Sequence, residues 1–398
     1  MKAATESNGI TLFFEGRIDS SNAPQIEAEV MDMLAQSKAE SITIDAEELE
    51  YISSAGLRVI MKLAKIDRDI KIVNVTRDVY DILEMTGFTG IVSVERGLRR
   101  FSVEGCPVIG QGAVGTLYQY DPDTIVKVYR KDTTMETLIQ ERERSQLAFI
   151  HGVPSRIFYD IVKVGDCYGV IYEMIESSSM GRQILNHPEL AEEYAVKFGS
   201  ILQQIHAVDA SEFKLPSAKD TYLLAAENLS ANYTAEENQL IRDMIQAMPT
   251  GTNLIHGDFH PKNIMIQDGE PLLIDMGDIC IGHPLYDIAT AFFVILWLPP
   301  ELSLKRSGID RSIAEKFLDT FMRTYFPTAD EKQLDALKHA AYCAGMVRAS
   351  IVYGISNTFP QDMIDERVSL LRECVFPKAD DILKTLQSAG DLFHALGL

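Results

Sequence analysis

The sequence predicts a small α/β domain joined to an α+β unit that begins rich in strands and then turns helical. Three observations predict this. Over residues 1–102 short apolar strands alternate with amphipathic helices; over residues 107–128 a glycine-rich stretch reads strand, turn, strand; and beyond residue 176 helical periodicity dominates. At 398 residues the chain exceeds one ordinary core, so the expected division is 1–102, 103–176 and 177–398.

Residues 10–16 form an apolar strand, and Asn22 with Pro24 starts a helix whose Ile26, Val30, Met33 and Leu34 share a face. Residues 41–45 alternate as a second strand. After Tyr51 and Ile52, Ser53 and Ser54 open a helix with Leu57, Ile60, Met61 and Ala64 inward and Arg58, Lys62 and Lys65 outward. Residues 70–75 make a further strand, and Val79, Ile82 and Leu83 stripe a third helix that Gly87 stops. Ser53 and Ser54 can cap their helix.

From Cys106 the pattern changes. Gly110, Gly112 and Gly115 have G-x-G-x-x-G spacing, but where a dinucleotide fold needs a helix, an apolar segment leads to Asp121-Pro122-Asp123. Strand, turn and strand suit a loop that covers phosphates with backbone amides, and Lys127, polar within an Ile-Val-Lys-Val run, is the candidate phosphate cation. A helix over 134–150 carries Glu141 and Glu143 in its middle. Residues 168–175 read as a buried strand, and beyond it Phe198, Ile201, Leu202 and Ile205 stripe a helix that ends in His206, a core or capping residue. No metal-type cluster is legible after residue 298.

Candidate chemistry concentrates in residues 253–289. A His256-x-Asp258 loop leads into an apolar strand over 263–267, Asp268-Gly269 turns the chain, and 271–274 is the return strand. Asp258, Asn263 and Asp275 therefore converge. A loop aspartate can accept the proton of an incoming hydroxyl, while an amide oxygen and a second carboxylate are hard ligands suited to Mg²⁺. Phosphoryl transfer needs this kind of positioning and charge neutralisation.

HGDFHPKN followed by LLIDMGD closely resembles the aminoglycoside phosphotransferase and choline kinase-like branch of the protein-kinase fold. The resemblance implies a bilobal unit with a β-rich small lobe and a mainly helical large lobe. It implies Asp258 as catalytic base, Asn263 and Asp275 as metal holders, and the glycine loop with Lys127 on the phosphates of ATP. It further implies a hinge at which Glu173, Met174 and Ile175 offer backbone groups to adenine, and an acid partner for Lys127. Glu143 aligns best by spacing for that last role, with Glu141 the alternative. Three positions depart from common patterns: His260 stands where protein kinases usually carry Lys, Met276 replaces a frequent aromatic, and His283 stands where an acid is frequent. LEYISSAGLRVI resembles the STAS domain of anti-sigma-factor antagonists, which implies Ser54 as a phosphate acceptor and an anti-sigma factor or similar regulatory protein as partner; Ser53 replaces the usual Asp.

The implied activity is ATP- and Mg²⁺-dependent transfer of the γ-phosphate to a hydroxyl of a small molecule, or of a protein, regulated through the STAS domain. A nucleotide-binding signalling scaffold with little turnover is the alternative. The complete set of Lys127, Asp258, Asn263 and Asp275 favours the enzyme. Lys+Arg 37 against Asp+Glu 58 gives a net charge of -21, which repels nucleic acid and anionic membranes. Five scattered cysteines without a C-x-x-C pair, an N-terminus without an apolar signal segment, and a longest apolar run (288–298) far below the ~20 residues of a membrane span predict a reduced, cytoplasmic protein.

Overall fold

The computed structural model describes residues 2–5, 9–37, 39–112, 114–355 and 359–397; Ala113 of the glycine-rich loop lies outside them. Two compact units form, one from Met1–Tyr120, Val126–Thr133 and Asp160–Ile171, the other from the remainder.

The first unit begins with β1 (Lys2–Thr5), β2 (Gly9–Ile18), α1 (Ala23–Gln36), β3 (Ser41–Ile52), α2 (Ser54–Ile66), β4 (Lys71–Val75), α3 (Arg77–Met85) and β5 (Ser93–Arg96). Their sheet has the order β1-β2-β3-β4-β5, with β1 antiparallel to β2 and the other pairs parallel. Leu12, Ile44, Val30 and Leu63 from strands and helices meet in one fully buried core. The edge strands β1 and β5 escaped the sequence reading, because Lys-Ala-Ala-Thr and Ser-Val-Glu-Arg lack the apolar alternation of a half-buried strand. Strand β3 also runs past residue 45, where Glu47 and Glu48 hide its continuation and the pairing with β2 shifts register.

Ser53 is the residue that caps α2, its Oγ accepting from Ala55 N–H at 3.2 Å. Ser54 is left exposed at the first helical position. A side chain at Gly56 would run into Ile52 and Ile18, so glycine lets the helix start sit directly on the sheet.

A second, six-stranded sheet follows, built from β6 (Arg99–Arg100), β7 (Val108–Gln111), β8 (Gly115–Gln119), β9 (Thr124–Tyr129), β10 (Phe158–Val164) and β11 (Cys167–Glu173) in the order β6-β10-β11-β9-β8-β7. Val126, Val162 and Ile171 are its small core. The glycine-rich stretch is a hairpin between antiparallel β7 and β8, as strand, turn, strand requires.

The second unit holds α4 (Met135–Ile150), α5 (Met180–Asn186), α6 (Ala191–His206), α7 (Ala218–Asn228) and α8 (Ala235–Ala247). Two short antiparallel pairs follow: β12 (Asn253–Ile255) with β15 (Cys280–Gly282), and β13 (Ile264–Gln267) with β14 (Glu270–Leu273). Asp268 (φ 52°) and Gly269 (φ 83°) turn the second pair, the geometry of a two-residue hairpin. Beyond them come α9 (Leu285–Phe292), α10 (Pro300–Ser307), α11 (Arg311–Tyr325), α12 (Glu331–Ile351), α13 (Gln361–Cys374) and α14 (Ala379–His394). The apolar run read as one core helix is buried α9, which passes into a π-helical turn at Phe293–Trp297. Among the described residues no helix is long and apolar enough to cross a membrane.

Candidate active site

Strand β12 leads into the loop over 256–263, and one buried acid fixes that loop's path. Asp287, fully buried in the first turn of α9, accepts from the backbone N–H of His256 at 2.8 Å and of Gly257 at 2.9 Å. His206 bridges from the far side, its Nε2 3.1 Å from Asp287 and its Nδ1 2.7 Å from the Tyr325 hydroxyl. Gly257 turns with φ 84°, and a side chain there would strike the carbonyl of Asp278. The sequence reading noted His283 in the place of an acid; the acid that holds this loop is Asp287, four residues on. His283 itself is buried, accepts from Leu285 N–H at 3.2 Å and packs against the Phe393 ring.

Burial, reinforced by His206, lowers the His283 pKa to about 3. Because the folded value lies below the unfolded one of about 6.5, the unfolded chain takes up a proton that the folded chain refuses as pH falls through that range. This group is therefore expected to cost about 1.4 kcal/mol of stability per pH unit between about pH 6 and 4. Urea titrations at several pH values check it. The slope should shrink in His283→Gln, and a slope unchanged by that substitution would contradict the assignment.

Asp258 is half-buried at the centre of the loop. Its Oδ2 is 3.4 Å from His260 Nε2 and 3.3 Å from Asn263 Nδ2, and its Oδ1 is 3.9 Å from Arg348 Nη2. Burial works against its charge, but His260, then Arg348 and His256, hold the carboxyl well below the usual carboxylate range. His260 Nδ1 accepts from Lys262 N–H, which leaves Nε2 as the donor toward Asp258. Asn263 donates its amide to the Asp258 carbonyl at 2.9 Å as well, so the amide oxygen points away from Asp258. Ile274 N–H donates to Asn263 O at 2.9 Å, tying the loop to the end of β14, where Asp275 takes a left-handed φ of 63° and stands exposed. These contacts bring Asp258, Asn263 and the Asp275 segment onto one structure.

Asp278, which the sequence reading passed over, lies close to both Asp258 and Asp275. Loss of surrounding water, then the Asp258 and Asp275 charges, raises its pKa to about 6, an effect that its open solvent side softens. Helix α4 carries the two acids weighed as the partner of Lys127. Glu143 is exposed, whereas Glu141 is buried, accepts from the Tyr172 hydroxyl and flanks Gly277. Arg144 of the same helix donates to the Gly277 carbonyl.

Lys127 is half-buried on β9, its amine 4.8 Å over the Tyr129 ring. Gly112 N–H donates to the Gly115 carbonyl at 2.9 Å, and a side chain at Gly115 would strike the Val128 carbonyl; Gly110 lies on β7. At the hinge, Glu173 N–H donates to Ile157 O and Met174 N–H to Asp123 O. Of the expected adenine contacts the Met174 amide is thus committed elsewhere.

Beyond residue 298 one N/S/O group does assemble: His339 Nε2 is 3.2 Å from Asp381 and 3.8 Å from Cys343 Sγ. The sequence could not show it, since Asp381 arrives from α14. Burial pushes the Cys343 thiol up to about 11, so it is protonated at pH 7 and the trio reads as a His–Asp pair beside a thiol. All five cysteines are unpaired by disulfides.

Residues 109–337 match the model of the phosphotransferase enzyme family, and residues 1–100 match the STAS domain. The chain belongs to the phosphotransferase enzyme family and carries an N-terminal STAS domain. It is a phosphotransferase, the class of enzyme that its sequence predicts. Over 84 residues it is 32% identical to a candidate anti-sigma factor antagonist, BtrV of Bordetella bronchiseptica, covering 20% of this chain and 72% of that one. Similar solved structures include a gentamicin complex of the aminoglycoside phosphotransferase APH(2")-IIa, at 17% identity and TM-score 0.49 over 70% of this chain and 92% of that one. A choline/ethanolamine kinase family protein from Mesorhizobium loti is similar at 12% identity and TM-score 0.48, over 71% and 92%.

Proposed function

We propose that the chain transfers the γ-phosphate of ATP to a hydroxyl of a small molecule, with Mg²⁺, and that the STAS domain regulates this activity or its partner. The observation that carries the reading is the Asp258–Asn263–Asp275 arrangement, held by Asp287 and the β13–β14 hairpin. Asp258, ionised at pH 7, orients the acceptor hydroxyl. As the hydroxyl oxygen bonds the γ-phosphorus and the bond to ADP breaks, the proton passes to Asp258. Its depressed pKa makes it a weak base, which suits a late proton transfer after the new bond has acidified that oxygen.

Asn263 and Asp275 present oxygen donors only, the set that a hard divalent cation prefers over zinc. Bound there, Mg²⁺ would neutralise phosphate charge. The glycine hairpin and Lys127 would hold the phosphates, the Glu173 carbonyl and Ile175 amide the adenine edge. Of the two acids weighed on α4, we favour buried Glu141 over exposed Glu143. We retain 1–102, 103–176 and 177–398 as the functional division. Asp275→Ala is expected to abolish turnover and the dependence on Mg²⁺ or Mn²⁺, measured as ADP release against metal concentration; unchanged turnover would sink the metal assignment.

Regulation centres on Ser54. Phosphate at the first residue of α2 meets backbone amides and the positive end of the helix, so it should change stability by no more than about 1 kcal/mol. Its added charge of about -1.5 to -2 would instead alter the face offered to an anti-sigma factor or similar protein. Ser54→Asp should leave the melting temperature nearly unchanged and alter partner affinity; an unfolded STAS domain would contradict this.

A further inference from the structure

Beside the catalytic loop lies a cavity of about 50 Å³ between α7, β15, α9 and α12. Thr221, Tyr222, Tyr286 and Arg348 line it, and Gly257 and Asp278 bring it to the edge of the Asp258 loop. Its chemistry is unusual for a buried space. Arg348 is 7% exposed and Tyr286 2%, yet Arg348 Nε and the Tyr286 hydroxyl have no hydrogen-bond partner among the described residues, whereas the Tyr222 hydroxyl interacts with Thr290 and Arg348. An arginine Nε can only donate, and a phenol donates readily, so two potential donors among the cavity's lining residues are unmet. Buried donors left unpaired are costly, and native proteins rarely keep them without a ligand or water to meet them.

Arg348 is not simply the counter-ion of the catalytic acid. Its Nη2 reaches the Gly257 carbonyl at 3.3 Å and stands 3.9 Å from Asp258, while the Nε edge of the guanidinium, on a residue that lines the cavity, has no partner among the described residues. That planar edge matches a carboxylate or another oxyanion. A volume of about 50 Å³ admits a group of a few heavy atoms, not a sugar ring. Asp278, the acid among the lining residues, is exposed to solvent.

Resting on the phosphotransferase reading above, we propose that the acceptor is a small hydroxy acid, whose anionic group enters this cavity against Arg348, Tyr222 and Tyr286 while its hydroxyl stays at Asp258. Asp258 then takes the hydroxyl proton, and Arg348 is a specificity-determining residue that selects an anion over a polyol or an amine.

The test compares three acceptors of equal carbon count, glycerate, glycerol and 3-amino-1,2-propanediol, using the full chain with ATP and Mg²⁺. Transfer and equilibrium binding are both measured. Glycerate should exceed the other two by about 10-fold or more in kcat/KM, and Arg348→Gln should erase that preference while Arg348→Lys restores part of it. Tyr286→Phe should weaken glycerate binding by a few-fold. Preference for glycerol or the amine, or no binding of glycerate at all, would overturn the proposal. Turnover lost in Arg348→Gln with the charge preference intact would overturn it too, reducing Arg348 to support of the Gly257 turn. Glycerate bound through Arg348 but never phosphorylated would sustain the anion site and count against the transferase reading, so the two fail separately.

Discussion

Asp258→Asn is expected to bind nucleotide within about three-fold of wild type while turnover falls by about 10² or more, the size of effect typical of a lost general base. The substitution keeps shape and the hydrogen bonds to Asn263 and His260 within reach, but it removes the carboxylate that would receive the proton. Lys127→Ala should do the opposite, weakening nucleotide affinity first. Calorimetric nucleotide binding set against steady-state ADP release separates the two. Equal and small effects from both substitutions would favour a signalling scaffold over an enzyme.

Asp287→Ala should be the most damaging substitution outside the reacting groups. It strands the His256 and Gly257 amides and leaves His206 without its buried acid. Each abandoned buried donor costs about 1–3 kcal/mol, and breaking a buried charged contact about 3–5 kcal/mol. We expect a total near 3–5 kcal/mol from partly overlapping contributions, with turnover lost alongside because Asp258 follows Gly257 directly. Asp287→Asn, which keeps one acceptor oxygen, should cost about half as much. Urea unfolding of the two variants checks the order, and wild-type stability in Asp287→Ala would contradict the anchoring role.

The path of the loop over 256–263 and of the hairpin after it was legible because its information is local. His256, Asp258 and Asn263 lie within eight residues, and the Asp268-Gly269 turn fixes where Asp275 emerges. Arg348 and Tyr222 were not, since they arrive from helices about 90 and 35 residues away along the chain and look like ordinary helical residues there. Asp287 was hidden inside an apolar helix. The burial of Glu141 and exposure of Glu143 were not legible: Gln-Glu-Arg-Glu-Arg has no apolar stripe to show which side faces inward. Ser53 and Ser54 were adjacent hydroxyls with one capping role between them, and only backbone geometry assigns it to Ser53.

The central claim is that these residues perform transfer and do not merely bind nucleotide. Its most direct measurement follows γ-labelled ATP, with Mg²⁺ and the full chain, across aminoglycosides, choline-like alcohols, sugars, hydroxy acids and the protein itself. The account predicts label in an acid-stable phosphomonoester of a small alcohol, dependent on Mg²⁺ and absent in Asp258→Asn. Saturating nucleotide binding with all label remaining in ATP or released as inorganic phosphate, equally in wild type and Asp258→Asn, would contradict it.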